Sequence, residues 1–274
     1  MKKSLENLHT KKVQQTPIVM VTAYDFPTAK IQDEAGVDAI LIGDSVGTNM
    51  LGYDSEQSVT MADMIHHTAA VCRGVKNAYT IADLPFETTG NETEAHENSL
   101  LLLAQGVDCV KLEGWREKAP VVDYLTKKNI EVCAHIGYNP QIHGAKPRTF
   151  GKIADQALDL IESALALQDA GAKLIVLEKI PVEIAEIISR KLIIPAIGIG
   201  SGNRCDGQVL VANDLLGMSP DTFRHARRYL DFYGSALDAF RRYKADVVKR
   251  LFPAEENSWH IDPAELEKVK NTLK

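Results

Sequence analysis

The sequence contains little cysteine, no long apolar run and no excess of basic charge, and each absence excludes a class of protein. Its four cysteines among 274 residues form no Cys-x-x-Cys pair, which argues against a zinc ribbon and a disulfide-stapled scaffold. No apolar run approaches the roughly 18 residues that a membrane-spanning helix needs. The polar beginning of the chain lacks the apolar core of a signal peptide. We therefore expect a cytoplasmic protein with reduced thiols and no membrane partner.

Charge and composition exclude further classes. The 31 basic and 37 acidic side chains give a net charge of −6, so the basic surface typical of nucleic-acid-binding domains is missing and we expect no nucleic-acid partner. Hydrophobic residues make up 45% of the chain, which excludes a mainly disordered protein. A small-molecule substrate remains, including an anionic one, because binding it needs only local positive charge or a metal ion.

Short, almost continuous apolar runs alternate along the chain with longer segments of helical spacing. The runs predicted as strands cover residues 18–23, 39–42, 78–82, 109–112, 131–134, 174–177, 196–199 and 208–211. The segments predicted as helices between them cover residues 27–34, 61–73, 92–105, 117–127, 152–170 and 182–190. Continuous apolar runs are typical of parallel strands that are covered on both faces. Their alternation with helices predicts an α/β fold, a (β/α)8 TIM barrel.

An open doubly wound sheet is the alternative fold, and it is less favoured because no Gly-x-Gly-x-x-Gly motif follows the first strand. After residue 220 the pattern becomes helical and charged. It predicts extra C-terminal helices from about residue 221, over 223–230, 240–251 and 263–273, packed outside the barrel or on a neighbouring subunit. Because no linker or repeat marks a boundary, we expect residues 1–274 to form a single barrel domain.

Ionisable residues stand where almost every predicted strand ends. In TIM barrels the active site lies at these C-terminal strand ends. The polar residues found there are Asp25, Asp44, Ser45, Asp83, Lys111, Glu113, His135 and Glu178. The glycine-rich residues 198–202 follow the seventh strand, where many barrels bind phosphate, although a tight turn would explain them equally well. So many charged groups on one rim indicate a functional site.

Three of these carboxylates suit a divalent cation. Asp44 and Asp83 could instead cap the helices that follow them, but Pro85 comes too soon after Asp83 for a helix to begin there. Glu113 would add a third carboxylate. Because oxygen ligands without cysteine favour a hard cation, the set predicts Mg²⁺ rather than Zn²⁺.

The remaining residues suit acid–base chemistry and charge stabilisation. Lys111 and Glu113, two positions apart on a strand, point to the same face. Either they form a salt bridge, or Lys111 binds a substrate carboxylate or a developing oxyanion. His135 is either a core histidine or a hydrogen-bond donor to the substrate or the base. Glu178 ends a buried run and suits a general base for a carbon acid, the alternative being an ion pair with Lys179 or Lys111.

Several segments, in order from about residue 15 to 260, resemble the ketopantoate hydroxymethyltransferase family. They are residues 22–25 (TAYD), 43–47 (GDSVG), 67–74 (HTAAVCRG), 82–86 (ADLPF), 110–114 (VKLEG), 176–178 (VLE), 195–202 (PAIGIGSG), 206–211 (DGQVLV), 252–253 (FP) and 256–259 (ENSW). The resemblance implies a (β/α)8 barrel assembled as a homodecamer. It also implies transfer of a hydroxymethyl group from the co-substrate 5,10-methylenetetrahydrofolate to 3-methyl-2-oxobutanoate. The product is 2-dehydropantoate, for pantothenate and coenzyme A biosynthesis, formed through an Mg²⁺-stabilised enolate.

The resemblance also implies roles for individual residues of this sequence. The metal ligands it implies are Asp44, Asp83 and Glu113. The substrate contacts it implies are Asp44, Ser45, Asp83 and Lys111. The catalytic residues it implies are Glu178 as the proton acceptor, with His135 beside it and Lys111.

The chain departs from the family pattern between residues 137 and 151. It reads Gly-Tyr-Asn-Pro-Gln over residues 137–141 where the family usually has Gly-Leu-Thr-Pro-Gln, and Gly-Ala-Lys-Pro over residues 144–147 where a Gly-Gly-Tyr stretch is usual. We expect this loop to cover the site. The departure therefore bears on substrate choice and folate binding more than on the metal or the base.

Two alternative functions remain open at this point. A lyase or mutase of the phosphoenolpyruvate mutase and isocitrate lyase type would share the barrel, Mg²⁺ and 2-keto-acid ligands. It would typically carry a reactive cysteine in a Lys-Lys-Cys-Gly-type segment, which this sequence lacks. The other alternative is a paralogue with an altered substrate or without turnover. Retention of the metal, lysine and base positions argues against loss of turnover.

Overall fold

The eight predicted strands form a closed parallel barrel in chain order. The computed structural model describes residues 2–144 and 148–273. The strands are β1 (Ile18–Thr22), β2 (Ala39–Ile42), β3 (Tyr79–Asp83), β4 (Cys109–Glu113), β5 (Val132–Gly137), β6 (Leu174–Glu178), β7 (Ala196–Ile199) and β8 (Gly207–Leu210). Every neighbouring pair is parallel, including β1 with β8, which closes the ring. This confirms the predicted (β/α)8 barrel.

Helices surround the barrel and continue beyond it. They are α1 (Leu5–Val13), α2 (Phe26–Glu34), α3 (Met61–Gly74), α4 (Glu92–Leu103), α5 (Ala119–Lys127), α6 (Pro140–His143), α7 (Ala154–Asp169), α8 (Val182–Lys191), α9 (Ala212–Leu216), α10 (Phe232–Val248) and α11 (Pro263–Thr272). Short helical turns lie at Gly47–Leu51, Glu56–Ser58, Arg116–Lys118 and Glu255–Asn257. The described residues contain no helix that is long and apolar enough to cross a membrane.

Two apolar layers build the barrel, one inside the ring and one between the ring and the helices. Alternate strand residues point inward, and the lower interior is filled by buried side chains such as Met20, Tyr79, Ile81 and Leu174. The opposite strand faces pack against the helices in the larger cluster. Toward the C-terminal end of the strands the inward residues become polar, so the interior changes from a packed core to a site.

Helix α1 closes the N-terminal end of the barrel and was not predicted. Leu8 is fully buried against the interior cluster, with Leu5 packed beside it. Lys12 forms an ion pair of 2.6 Å with Asp206, which anchors the helix beneath β8. A segment with so few apolar residues has no periodic apolar face, and therefore the hydrophobic pattern does not reveal it.

The predicted helix over 223–230 is wrong, and the first C-terminal helix begins at Phe232 rather than at about 221. The 223–230 segment is instead tied by hydrogen bonds to the region of α9. The backbone N–H of Tyr229 donates to the carbonyl of Leu215 at 2.8 Å, and Arg228 donates to the carbonyl of Ser219 at 2.6 Å. Its apolar residues are largely exposed and give no buried helical face.

The C-terminal helices follow this segment. The predicted helix over 240–251 forms the later part of α10, and the one over 263–273 matches α11. In the loop at 137–151, residues 145–147, which carry part of the departure from the family pattern, lie outside the described residues.

Candidate active site

The C-terminal mouth of the barrel contains a cavity of about 440 Å³. Its charged and polar wall includes Asp44, Ser45, Lys111, Glu113, His135 and Glu178. Its apolar lining includes residues in or just after the strands, namely Leu41, Val176, Ile199, Val209 and Val211. A volume of this size suits a small organic ligand. The polar wall and the apolar floor together fit a ligand with a charged end and an aliphatic end.

Strand register brings the charged side chains together. The apolar runs end before the strands do, so Asp83, Glu113 and Glu178 are the last residues of β3, β4 and β6. In the ladder, Asp83 pairs with Lys111 and Glu113 pairs with His135. Their side chains point inward at the same end of the barrel, where sequence reasoning predicted that they would meet.

Lys111 lies between two carboxylates. Its Nζ is 2.6 Å from Asp83 Oδ1 and 3.6 Å from Glu113 Oε1. Burial acts to lower the pKa of Lys111, but the charges of Asp83 and Glu113 outweigh it and raise the pKa well above its usual value. Lys111 is therefore a permanent ammonium group. The salt bridge with Glu113, one of the two alternatives that the sequence left open, is present, with Asp83 as the nearer partner.

Asp44 is joined to Asp83 and to the loop above it. Its backbone N–H donates to Asp83 Oδ2 at 3.0 Å, and its own Oδ2 accepts from Gln141 Nε2 at 2.7 Å. Burial and the negative charges of Asp83 and Glu113 hold the pKa of Asp44 well above its usual range. Asp83 itself lies just behind the cavity wall, almost completely buried.

A second chain of contacts links β4, β5 and β6. His135 Nδ1 lies 3.0 Å from Glu113 Oε1, and His135 Nε2 lies 3.5 Å from Glu178 Oε2. Burial acts to lower the pKa of His135, but Glu113 and then Glu178 raise it to about 9. The two carboxylates therefore favour the charged form of the imidazole. Its Nε2 is buried and makes no hydrogen bond within the described residues.

Glu178 lies at the edge of the cavity, and each of its two carboxylate oxygens faces a different basic side chain. Its Oε2 faces His135, whereas its Oε1 lies 3.2 Å from Lys179 Nζ. The side chain is 14% exposed, so it is accessible to a bound molecule but is largely shielded from water. The ion pair with Lys179, which the sequence left open as an alternative, is thus present, and it orients Glu178 at the cavity wall.

Sequence reasoning missed Gln141, which supports two of the predicted ligands. Its side chain donates to Asp44, and its backbone N–H donates to Glu113 Oε2 at 3.1 Å. Gln141 lies on α6, whose first residue is Pro140, and Asn-Pro is a recognisable helix start. That signal predicts the helix, but it does not indicate which residues the glutamine contacts.

Two other predicted features lie outside this network. Asp25 caps α2, because its Oδ1 accepts the backbone N–H of Thr28 at 2.8 Å. Within residues 198–202, Ser201 Oγ donates to the carbonyl of Leu177 at 2.8 Å and accepts from the backbone N–H of Ile180 at 3.1 Å. The glycine-rich segment therefore fits the tight-turn interpretation, with its hydroxyl used to fasten β7 to β6.

The donor set fits a hard divalent cation by its chemistry. Asp44, Asp83 and Glu113 supply only oxygen atoms, and their shared burial leaves an excess of negative charge that a cation would neutralise. In the part of the chain that the structure describes, no group of three His, Cys, Asp or Glu side chains is already arranged around one point. A cation would therefore compete with Lys111 and Gln141 for these oxygens.

Solved structures of similar shape share the barrel. A phosphonopyruvate hydrolase in complex with oxalate and Mg²⁺ covers 100% of this chain and 96% of its own, with a TM-score of 0.62 and 13% identity. Phosphoenolpyruvate phosphomutase from Streptomyces platensis subsp. rosaceus has a TM-score of 0.63 at 13% identity, covering 98% of this chain and 97% of its own. At such identity these likenesses show the fold alone.

Sequence relatives are much closer. The profile of the ketopantoate hydroxymethyltransferase family matches residues 2–255. A 3-methyl-2-oxobutanoate hydroxymethyltransferase from Dehalococcoides mccartyi is 44% identical over 280 residues, covering 100% of both chains. One from Chloroflexus aurantiacus is 46% identical over 252 residues, covering 91% of this chain and 90% of its own. The chain therefore belongs to the ketopantoate hydroxymethyltransferase family.

Proposed function

We propose that this chain transfers a hydroxymethyl group from 5,10-methylenetetrahydrofolate to 3-methyl-2-oxobutanoate, giving 2-dehydropantoate for pantothenate and coenzyme A biosynthesis. The observation that carries the proposal is the position of Glu178, an accessible carboxylate on the wall of a cavity that also presents Lys111 and Asp44. Relatives that bear the name of this activity align with nearly the whole chain.

The cavity suits the 2-oxo acid at both of its ends. The carboxylate and ketone oxygens would lie toward Lys111 and Ser45, whereas the branched methyl groups would pack on apolar side chains such as Val176 and Ile199. Burying an aliphatic group on such a floor contributes roughly 0.8 kcal/mol per methylene-sized unit. The charged wall and the apolar floor thus orient C3 of the substrate toward the β6 side, where Glu178 lies.

Asp44, Asp83 and Glu113 would hold Mg²⁺ at the charged end of this cavity. When bound, the ion would polarise the 2-oxo acid and offset the negative charge that develops as the C3 proton leaves. Lys111 contributes a fixed positive charge at the same end, because its ammonium group is held by Asp83 at 2.6 Å.

Glu178 would accept the proton from C3. Its two oxygens lie beside Lys179 and His135, which hold the carboxylate in place at the cavity wall before the proton is transferred. Water is largely kept away by the buried surroundings. The carbon nucleophile that results would then form a bond to the one-carbon unit of the folate. Water would supply the hydroxyl oxygen, the bond between that carbon and the folate nitrogens would break, and tetrahydrofolate would leave with the proton.

The lyase and mutase alternative gains no support from the cysteines. Cys109 and Cys133 are buried in the lower barrel, and Cys72 and Cys205 do not line the cavity either. A reactive thiol at the site, which that alternative would typically use, would have to come from one of these four.

We further propose that copies of this chain assemble, with the decamer as the expected form. Helices α10 and α11 bury no residue of their own, while Phe240 is 72% exposed and Trp259 is 95% exposed. Exposed apolar surface of this extent is typical of an interface. Light scattering after gel filtration should give the mass of ten 30.2-kDa chains, and a monomeric mass would contradict the proposal.

The activity itself is tested by following 2-dehydropantoate while each component is omitted in turn. Product should require 3-methyl-2-oxobutanoate, 5,10-methylenetetrahydrofolate and Mg²⁺ together. Glu178→Gln should lower kcat by about 100-fold or more, whereas the exposed Glu183→Gln should leave it unchanged. Formation of 2-dehydropantoate without folate, or no product with all components present, would refute the assignment.

A further inference from the structure

A series of hydrogen-bonded hydroxyl groups runs from the backbone of α9 to Ser45 on the cavity wall. The backbone N–H of Ala212 donates to Thr22 Oγ1 at 2.9 Å. Thr22 Oγ1 lies 3.0 Å from the Tyr24 hydroxyl, and the Tyr24 hydroxyl lies 2.8 Å from Ser45 Oγ. Thr22 and Tyr24 are 3% and 2% exposed, so this series is largely shielded from bulk water, and Thr22 and Ser45 are the members that line the cavity.

The direction of these hydrogen bonds follows from the first donor. An amide N–H can only donate, so Thr22 Oγ1 must accept from Ala212. Among the described residues, the remaining partner of the Thr22 hydroxyl is Tyr24, and a buried hydroxyl proton without an acceptor is costly. Thr22 therefore donates to Tyr24, and Tyr24 in turn donates its only proton to Ser45.

The proton of Ser45 is then free to point into the cavity. Because Ser45 Oγ already accepts from Tyr24, its own O–H has no need to turn back toward the barrel wall. Gly43 keeps the space for this arrangement open, since a Cβ there would lie 2.8 Å from Ser45 Oγ. A series of hydroxyls aligned in one direction also polarises its last member, which strengthens that O–H as a donor.

We propose that Tyr24 and Thr22 are positioning residues that turn Ser45 into an obligate hydrogen-bond donor to the carboxylate of the 2-oxo acid. This inference rests on the proposed function, which places the 2-oxo acid at Ser45. A hydrogen bond from such a donor to a charged carboxylate is stronger than one between neutral groups. The fold thus favours an anionic substrate oxygen at Ser45, because the hydrogen bond from Tyr24 leaves the Ser45 O–H directed toward the cavity.

The test measures two properties of the wild-type chain and of a set of variants. These are the affinity for 3-methyl-2-oxobutanoate in the presence of Mg²⁺ and the kinetic constants KM and kcat. Ser45→Ala should weaken binding tenfold to a hundredfold, and Tyr24→Phe should weaken it about threefold to tenfold. In both variants KM should rise while kcat changes little, because a contact made equally in the ground and transition states is lost. The double variant should bind no more weakly than Ser45→Ala alone, since Tyr24 acts only through Ser45.

Thr22 provides a second pair of variants if Tyr24→Phe is poorly folded. Thr22→Ser keeps the hydroxyl and should retain wild-type affinity, whereas Thr22→Val keeps the shape and should bind more weakly. Tyr79→Phe is the matched control, because Tyr79 is an equally buried tyrosine that hydrogen-bonds Glu131 at the opposite end of the barrel. Its affinity for the 2-oxo acid should be unchanged.

The outcomes separate this inference from the proposed function. If the wild-type chain binds and converts the 2-oxo acid but Tyr24→Phe and Thr22→Val bind it with unchanged affinity, the inference is overturned and the function stands. Additive losses in the double variant would overturn it as well. A wild-type chain that neither binds nor converts the 2-oxo acid would overturn the proposed function and the inference with it.

Discussion

Removing the charge of Lys111 should destabilise the protein far more than removing that of a surface lysine. The Lys111 side chain is 4% exposed, and its ammonium group lies 2.6 Å from Asp83 and 3.6 Å from Glu113. Lys111→Met would leave the buried Asp83 without its nearest cation and would leave Glu113 with only His135 beside it. Breaking one side of a buried ion pair costs about 3–5 kcal/mol of unfolding free energy. The matched control is Lys127→Met, because Lys127 is 73% exposed and its ion pair with Asp123 contributes about 0.5 kcal/mol or less.

The assay is urea unfolding followed by circular dichroism, with EDTA and then with excess Mg²⁺. In EDTA, the unfolding free energy of Lys111→Met should be several kcal/mol lower than that of Lys127→Met. If the carboxylates hold a divalent ion, Mg²⁺ at 100 times its dissociation constant should add about 2.7 kcal/mol to the unfolding free energy. Equal stability of the two variants would refute the account of the buried charges. Stability that is indifferent to Mg²⁺ would refute the metal site while leaving the ion pairs in place.

Three further predictions concern the scaffold. In urea unfolding, Gly137→Ala should lower the unfolding free energy more than Gly36→Ala. Both glycines have positive φ, but only at Gly137 would the new Cβ collide with a backbone carbonyl, that of Glu178. Equal losses in the two variants would contradict this. Asp33 accepts the backbone N–H groups of Lys76, Asn77 and Ala78, and these bonds outweigh burial and lower its pKa. The stabilisation that ionised Asp33 provides should therefore be complete above about pH 4 and should be lost as the pH falls through the lowered pKa. Asp33→Asn should lower the unfolding free energy at pH 7 and flatten the acid limb of the stability curve. An unchanged acid limb would contradict this role of Asp33. Leu8→Ala should lower the unfolding free energy by about 2–5 kcal/mol through the cavity it leaves, whereas the exposed Val13→Ala should change it little, and similar values would show that α1 does not seal the barrel.

The barrel was predictable because its strands are continuous apolar runs, and the candidate site because charged residues end those runs. Parallel strands in a closed ring place their C-terminal ends together, so Asp83, Lys111 and Glu178 had to share one rim once the barrel was inferred. The strands extend past the apolar runs because backbone pairing continues through these polar residues. The roles of the residues came from the family resemblance. The observed contacts show that these residues are neighbours, and the chemistry is assigned by the resemblance.

Other features depend on contacts between residues that are distant in the sequence, and the local pattern does not contain them. Leu8 plugs the barrel through one side chain, which produces no periodicity. Gln141 reaches Asp44 across 97 positions of the chain, and the Ala212 amide reaches Thr22 across 190. The basic stretch at 223–230 has helical spacing, but its backbone groups find partners near α9 instead.

Deuterium exchange directly measures the step that we propose for Glu178, the removal of the proton from C3 of the bound 2-oxo acid. In D₂O with Mg²⁺, the wild-type chain should exchange the C3 hydrogen of 3-methyl-2-oxobutanoate, which collapses the splitting of its methyl signal in proton NMR. Glu178→Gln should abolish the exchange, while Glu183→Gln retains it. Exchange that continues at the wild-type rate in a folded Glu178→Gln variant would contradict the account.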